Sequence, residues 1–140
     1  MSTTTPLQTV QVMYAAFGRG DVATILNALA ADVTWSIDGP AIVPIFGDRK
    51  GRDGVAQFFQ ALGASIDVQE FTPQQFFAHG DTVIVQGVER GKVKATGKTM
   101  AGHWAHVFTF KNGLVSAFRE YNNSAAFADA FRATAGAAAA

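Results

Sequence analysis

The hydrophobic positions in the first half of the chain recur every three or four residues, which is the spacing of amphipathic helices. This spacing predicts a helix from Thr5 to Phe17, and a pair of glycines follows it closely. A second helix follows Asp21 and a third follows Asp53, because the side chains of both aspartates can cap a helix. The apolar positions of the three predicted helices are Val10, Met13, Tyr14, Phe17, Val22, Ile25, Leu26, Leu29, Val55, Phe58, Phe59 and Leu62.

After Gly63 the hydrophobic pattern changes to period two, which is typical of strands with one buried face. Pro73 predicts a bend or bulge in the first of these strands. The predicted strands are 32–38, 66–79, 82–95, 104–111 and 114–122, and a last helix covers 124–131. The sequence therefore predicts an α+β fold in which helices cover one face of a curved antiparallel sheet.

The segment GPAIVPIFGDRKG, residues 39–51, does not fit either pattern. Pro40 and Pro44 exclude a regular helix, yet Ile42 and Phe46 are too apolar for a freely solvated loop. The segment is either a loop folded back over the core or an apolar lid over a cavity.

Composition limits the classes of function. Of 140 residues, 49% are hydrophobic and twelve are Phe, which is enough for one domain spanning 1–140 with an ordered core at about 6–132. The closing GAAAA tail has no large side chain to bury and is expected to fray. The formal net charge is zero, so we expect neither nucleic acid nor a membrane as partner. No secretory signal pattern is present, and we expect a cytoplasmic protein.

No cofactor or metal is expected. Cysteine is absent, and the sequence contains no phosphate-binding loop or dinucleotide glycine pattern. His79 falls in a turn, whereas His103 and His106 alternate onto opposite faces of one strand, so the three histidines do not form a ligand set.

His106 is the polar residue of an otherwise aromatic strand face that also carries Trp104, Phe108 and Phe110. It is either a core histidine held by a hydrogen bond or the polar group of an aromatic pocket, where it could move a proton near neutral pH. On the preceding strand Arg90 and its alternating basic neighbours indicate a solvated outer face, so Glu89 points inward.

The turn at Lys111–Gly113 decides which residue joins His106. A two-residue type I′ turn pairs Lys111 with Leu114 and places His106 opposite Arg119. A three-residue loop with a bulged Gly113 instead places Glu120 on the face of His106. We favour the three-residue loop, in which His106 lies opposite Phe118 and Glu120 opposite Trp104, because the alternative buries an arginine.

Several segments together resemble the nuclear transport factor 2-like superfamily, in its SnoaL-like and ketosteroid isomerase-related branch. They are YAAFGRGD, DVTWSIDGP, GRDGVAQFF, HWAHVFTFKNGLV and FREYNNSAAF, and the resemblance covers residues 7–131. It implies a cystatin-like roll, in which three N-terminal helices and a short C-terminal helix wrap a cone-shaped sheet around an apolar pocket. Homodimers through the outer face of the sheet are common in this superfamily, and we expect one here.

The resemblance also implies roles for particular positions. In limonene epoxide hydrolase-like members, a catalytic carboxylate matches Glu120 and its partner matches Glu89, but the arginine between them is replaced by Gly87 here. In ketosteroid isomerase-like members, a protonated acid matches His106 and the general base lies near Asp38.

Ketosteroid isomerase-like members also have a pocket tyrosine close to Tyr14. SnoaL-like members often have an aspartate where this chain has Asn123.

We therefore expect a pocket for a small hydrophobic molecule, in a cofactor-independent isomerase or cyclase that moves protons on a carbonyl or cyclic substrate. A non-catalytic binding or accessory protein is the alternative, and an epoxide hydrolase comes third. The candidate catalytic residues are His106, Glu120, Asp38 and Tyr14. The candidate pocket-lining residues are Trp35, Glu89, Trp104, Phe108 and Phe118.

Overall fold

The computed structural model describes residues 4–133. Its helices are α1 (Pro6–Gly18), α2 (Val22–Asn27), α3 (Gly51–Ser65) and α4 (Ser124–Phe131). Its strands are β1 (Leu29–Ile37), β2 (Gly47–Lys50), β3 (Ile66–His79), β4 (Thr82–Val93), β5 (Thr99–Lys111) and β6 (Leu114–Asn122). The GAAAA tail lies outside the described residues.

The six strands form one curved sheet in the order β2-β1-β6-β5-β4-β3. The α+β fold predicted from the sequence is confirmed, with two differences. The pairing of β1 with β6 is parallel, whereas every other pairing is antiparallel. The segment 39–51, expected to be irregular, contains the short strand β2, which pairs with β1.

Local sequence signals explain where most helices begin. The side chain of Thr5 accepts a hydrogen bond from the backbone N–H of Gln8, whose side chain accepts one in return, so α1 begins with a capping box. Asp21 caps α2 as predicted. The predicted cap of α3 at Asp53 is wrong, because α3 begins at Gly51 and Asp53 lies in its first turn. There the carboxylate favours the positive end of the helix dipole without capping it.

The core lies between the helices and the inner face of the sheet. Val33, Trp35 and Ile37 alternate inward along β1 as predicted, and Val10 and Met13 of α1 are buried against the sheet. In the segment 39–51, Phe46 is buried and packs edge-on against Phe127 of α4. This segment therefore covers part of the core, and its Ile45 also lines an inner cavity, so both interpretations of the segment hold in part.

The β5–β6 hairpin does not follow the predicted turn. Asn112 and Gly113 both have positive φ, and Lys111 pairs with Leu114, so the turn has two residues and is of type I′. Close to the turn Phe110 pairs with Val115, but Thr109 pairs with Ala117. The unpaired residue between them is a β-bulge on β6, and it shifts the register by one position.

The three-residue loop was predicted in order to place Glu120 on the same face as His106. The turn has two residues instead, and the bulge in β6 places Glu120 on that face. His106 lies directly opposite Glu120, neither opposite Arg119 nor opposite Phe118. Trp104 lies opposite Asn122, two positions away from the predicted pairing with Glu120. The arginine remains outside, as the argument from the cost of burying its charge required.

Candidate functional site

A chain of hydrogen bonds joins three elements on the inner face of the sheet. The phenol oxygen of Tyr14 on α1 lies 2.6 Å from Nδ1 of His106 on β5. Nε2 of the same histidine lies 2.8 Å from Oε1 of Glu120 on β6. Nδ2 of Asn122 donates to the other carboxylate oxygen of Glu120. These bonds pair the polar atoms of Tyr14, His106 and Glu120, and His106 is only 5% exposed. Oδ1 of Asn122 is buried without a partner among the described residues.

The direction of these bonds follows from the chemistry of the groups. An ionised carboxylate only accepts hydrogen bonds, so Nε2 of His106 donates to Glu120. In the neutral imidazole Nδ1 then has no proton and accepts the hydrogen bond of the Tyr14 phenol. Burial raises the pKa of Tyr14, and the negative charge of Glu120 raises it further, so the phenol keeps its proton.

Neither ring nitrogen of His106 is therefore free to take a proton directly from a ligand. The sequence analysis offered two roles for this residue, a core histidine held by hydrogen bonds and a proton-transfer group. In the structure both ring nitrogens are paired, Nδ1 with Tyr14 and Nε2 with Glu120, as expected for a core histidine held by hydrogen bonds.

Glu89 brings a second carboxyl group to the same cavity. It projects inward from β4, and its Oε2 is buried without a hydrogen-bond partner among the described residues. Burial, and secondarily the negative charge of Glu120, raises the pKa of Glu89 to about 8. Glu89 therefore keeps its proton at neutral pH.

These groups surround a cavity of about 90 Å³, which we call the chamber. Apart from Tyr14, Glu89, His106 and Glu120, most of its walls are apolar side chains from the helices and from the inner face of the sheet. The volume is smaller than the roughly 150 Å³ of a buried cavity that admits benzene. As it stands, the chamber holds a short chain or a single functional group.

The expected pocket walls divide into two layers. Trp35 and Phe108 line the chamber, and the indole N–H of Trp35 has no hydrogen-bond partner among the described residues. Trp104 and Phe118 do not line the chamber, so the prediction that they would is wrong. Trp104 stacks on the ring of His106 at 4.1 Å between centroids, and Phe118 stacks on Trp35 at 3.9 Å. Both hold the lining side chains in place from behind.

Asp38 lies outside this group of residues. Its side chain is 79% exposed and pairs with Arg119 at 3.0 Å from Oδ2 to Nη1. Because β1 ends at Ile37, the chain turns outward before Asp38 can reach the chamber. The structure thus does not support Asp38 as the base of this cavity.

Gly87 is the position that carries an arginine in epoxide hydrolase-like members. A side chain there would collide with the indole of Trp104 and with the carbonyl oxygen of Thr72. The tryptophan fills the space that an arginine would need between the two carboxyl groups. This packing argues against epoxide hydrolysis by the mechanism that needs that arginine.

Asn122 is a site residue that the sequence analysis missed. It lies two positions after Glu120 on the same strand, so period two places both side chains on one face. That spacing was visible in the sequence, but an asparagine before a helix is more often a turn or cap residue. Neighbouring Asn123 does serve as the N-cap of α4.

Metal binding finds no candidate in the part of the chain that the structure describes. Residues 4–133 contain no group of three or more His, Asp or Glu side chains placed to bind a metal ion. No helix among these residues is long and apolar enough to cross a membrane.

The curved sheet, its wrapping helices and the inner chamber define a nuclear transport factor 2-like protein, and comparisons with known proteins agree. A nuclear transport factor 2-like protein from Burkholderia xenovorans LB400 is 32% identical, with a TM-score of 0.84 over 94% of this chain and 99% of that one. One from Burkholderia thailandensis E264 is 29% identical, with a TM-score of 0.85 over 93% and 99%. None of the curated proteins compared with the chain matches it.

The SnoaL-like domain model matches residues 10–118, and the chain belongs to this family. A candidate SnoaL-like polyketide cyclase from Mesorhizobium loti is 20% identical, with a TM-score of 0.69 over 84% of this chain and 98% of that one. At that identity the likeness shows the fold alone.

Proposed function

We propose that this protein is a cofactor-independent enzyme that moves a proton on a small hydrophobic carbonyl compound, as isomerases and aldol-type cyclases do. One observation carries the proposal, namely that two carboxyl groups with different partners line one apolar chamber. Glu120 has a hydrogen-bond donor on each carboxylate oxygen, whereas Oε2 of Glu89 has no partner among the described residues. Pairs of titratable groups whose pKa values are pushed apart by their surroundings are typical acid and base partners. Glu120 is the base and Glu89 the acid.

The acid would act on the carbonyl oxygen. A neutral Glu89 has an O–H to donate, and its Oε2 has no protein partner among the described residues to compete for it. A ligand carbonyl that accepts this hydrogen bond receives more stabilisation as negative charge develops on its oxygen. Because the donor is already in place, no reorganisation is needed at the moment of reaction.

The base would act on the neighbouring carbon. Glu120 takes the proton from the carbon next to the carbonyl, and the electron pair of that C–H bond forms an enolate whose charge rests on oxygen. In a β,γ-unsaturated ketone the same proton is returned to the γ-carbon, so the double bond moves into conjugation and no atoms are gained or lost. His106 and Asn122 hold the carboxylate through its two oxygens and so fix its orientation.

Pent-4-en-2-one is a suitable test substrate, since it is a short β,γ-unsaturated ketone and its conjugated product absorbs in the ultraviolet. Wild type should form pent-3-en-2-one, and Glu120→Gln should lower the rate by about 10²–10⁴, the range for loss of a general base. Glu89→Gln should also lower it, and the wild-type rate should fall as pH rises through about 8, where Glu89 loses its proton.

Asp38→Asn is the matched control, because it removes an exposed carboxylate outside the chamber. It should retain the wild-type rate. No isomerisation, together with no exchange of the α-protons for deuterium by wild type, would contradict the proposed activity.

A non-catalytic binding protein is the second candidate. It is favoured by the hydrogen bonds that join Tyr14, His106 and Glu120, since these three groups need no ligand to be satisfied. In that case butan-2-one and similar ketones bind without exchange of their α-protons, and Glu120→Gln changes affinity only.

A further inference from the structure

Phe17, in the last turn of α1, lies at the boundary of three cavities. It lines the chamber, and it also lines two recesses at the surface of about 300 and 220 Å³. Val68 of β3 is the other residue that all three share. These two side chains, which we call the gate, therefore lie where the chamber meets both recesses.

The backbone around the gate is irregular on both sides. Helix α1 ends at Gly18, and Gly20 follows with a φ of +72°. On the other side the register of β3 shifts between Val68 and Glu70, which indicates a bulge. Val68 is 39% exposed. The phenyl ring of Phe17 packs edge-on against Phe71 with 5.0 Å between centroids and lies tilted beside Phe59 at 6.2 Å, so its aromatic contacts are with other side chains.

The two recesses differ in chemistry. The larger one includes Gln69 and Glu70. The smaller one has no charged side chain and lies between α2, α3 and β3, with Val22, Leu62 and Ile66 in its walls. We call the smaller one the apolar recess. It adjoins the chamber directly, since Phe59, Leu62 and Ile66 belong to both.

The chamber alone is well below the roughly 300–1,000 Å³ of an ordinary small-molecule site. Joined through the gate to the apolar recess of about 220 Å³, it reaches the lower end of that range. We propose that the ligand is an elongated ketone whose apolar substituent passes the gate of Phe17 and Val68 and lies in the apolar recess. The position of its carbonyl beside Glu89 rests on the proposed function, but the position of its substituent does not.

Two saturated ketones test this inference by binding alone. Butan-2-one has only the head group, whereas 4-phenylbutan-2-one adds a phenyl ring at the end of the chain. Trp35 lines the chamber and is one of only two tryptophans, so stopped-flow tryptophan fluorescence can follow both ligands. We expect wild type to bind the phenyl ketone at least tenfold more tightly, because a single methylene in an apolar pocket already changes recognition by about 10–200-fold.

Two variants locate the path. Phe17→Ala should raise the association rate constant of 4-phenylbutan-2-one by about tenfold, because binding no longer waits for the ring to move. Val22→Asp places a charge in the apolar recess, outside the chamber. It should weaken the binding of 4-phenylbutan-2-one at least tenfold and leave the binding of butan-2-one unchanged. Val22 is the first residue of α2, where an acidic residue is compatible with the helix.

Phe77→Ala is the matched control, since Phe77 is also on β3 but is 52% exposed and lines neither the chamber nor the recesses. It should change no rate constant. Equal affinity for the two ketones, or no effect of Phe17→Ala and Val22→Asp on the phenyl ketone, would overturn the inference. Gated binding without proton exchange would instead overturn the proposed function alone.

Discussion

Replacing Glu89 by glutamine isolates the cost of keeping a carboxyl group inside an apolar chamber. In the unfolded chain this side chain ionises near its ordinary pKa of 4.5, whereas in the folded protein it keeps its proton up to about pH 8. Between these two values folding takes up a proton. The free energy of unfolding therefore falls as pH rises from 4.5 to 8. Above pH 8 the stabilisation that comes from protonated Glu89 is fully lost.

The size of the effect follows from the two pKa values. The folded protein binds the proton of Glu89 roughly 3,000-fold more tightly than the unfolded chain does. This corresponds to about 5 kcal/mol at ~1.4 kcal/mol per tenfold change. A domain of this size is stable by only about 5–15 kcal/mol, so a change of this order is measurable. Glutamine has nearly the same shape and does not ionise. Glu89→Gln should therefore become the more stable protein by several kcal/mol at pH 9, with little difference at pH 4.

Urea denaturation of wild type and Glu89→Gln at intervals between pH 4 and pH 9 measures this directly. Subtracting the two curves removes the contributions of all groups that both proteins share. Glu70→Gln is a matched control on β3, since Glu70 is exposed and its contacts are long, namely a 3.9 Å ion pair with Arg90 and a 3.5 Å hydrogen bond from Thr72. If the difference between wild type and Glu89→Gln does not change across this pH range, Glu89 is not buried as a neutral acid.

Three further predictions concern groups around the chamber and on the outer face. Tyr14→Phe leaves Nδ1 of His106 without its partner and should lower the free energy of unfolding by about 1–3 kcal/mol, and an unchanged urea midpoint would contradict this. Gly87→Ala should lower the free energy of unfolding, again measured by urea denaturation, by at least as much, because the added methyl group collides with Trp104. Tyr121 is 55% exposed on the outer face, so Tyr121→Glu should weaken the expected homodimer in sedimentation velocity, and a monomeric wild type would refute the dimer itself.

The elements of the fold could be predicted because each depends on short-range patterns. Period two in β4 and β5 and helical spacing in α1 and α3 are properties of neighbouring residues, and the structure confirms the α+β fold they predict. The strand β2 escaped prediction because it has only four residues and no apolar alternation. Its partner β1 specifies it, and the sequence does not indicate that pairing.

The register of the β5–β6 hairpin shows a different limit. Two expectations from the sequence conflict at this hairpin. Asn112-Gly113 favours a two-residue turn, but that turn without a bulge would bury the charge of Arg119. The predicted three-residue loop avoids the conflict by changing the turn, whereas the protein keeps the two-residue turn and has a bulge in β6 opposite Thr109 and Phe110. A bulge has no strong local signal, but the energetic requirement it satisfies was readable.

The candidate site was predictable only as a set of inward-facing residues. Parity places His106, Glu120 and Glu89 on one face, but it cannot tell which of them a ligand would meet. That depends on which polar atoms remain unpaired, and pairing depends on Tyr14 arriving from a different element 92 positions away. Asp38 was a candidate by resemblance alone, and its partner Arg119 holds it outside the chamber.

The contrast between the two glutamates follows from these partners. Glu120 has a donor on each carboxylate oxygen, so the protein can keep a negative charge in a largely apolar chamber. Glu89 has no such donor for Oε2 among the described residues, and the charge of Glu120 opposes a second negative charge nearby. In the proposed function, the hydrogen bonds of His106 and Asn122 are what make Glu120, and not Glu89, the base. Removing one of these hydrogen bonds, for example by Asn122→Ala, should reduce the difference in proton affinity between Glu89 and Glu120 while the protein remains folded.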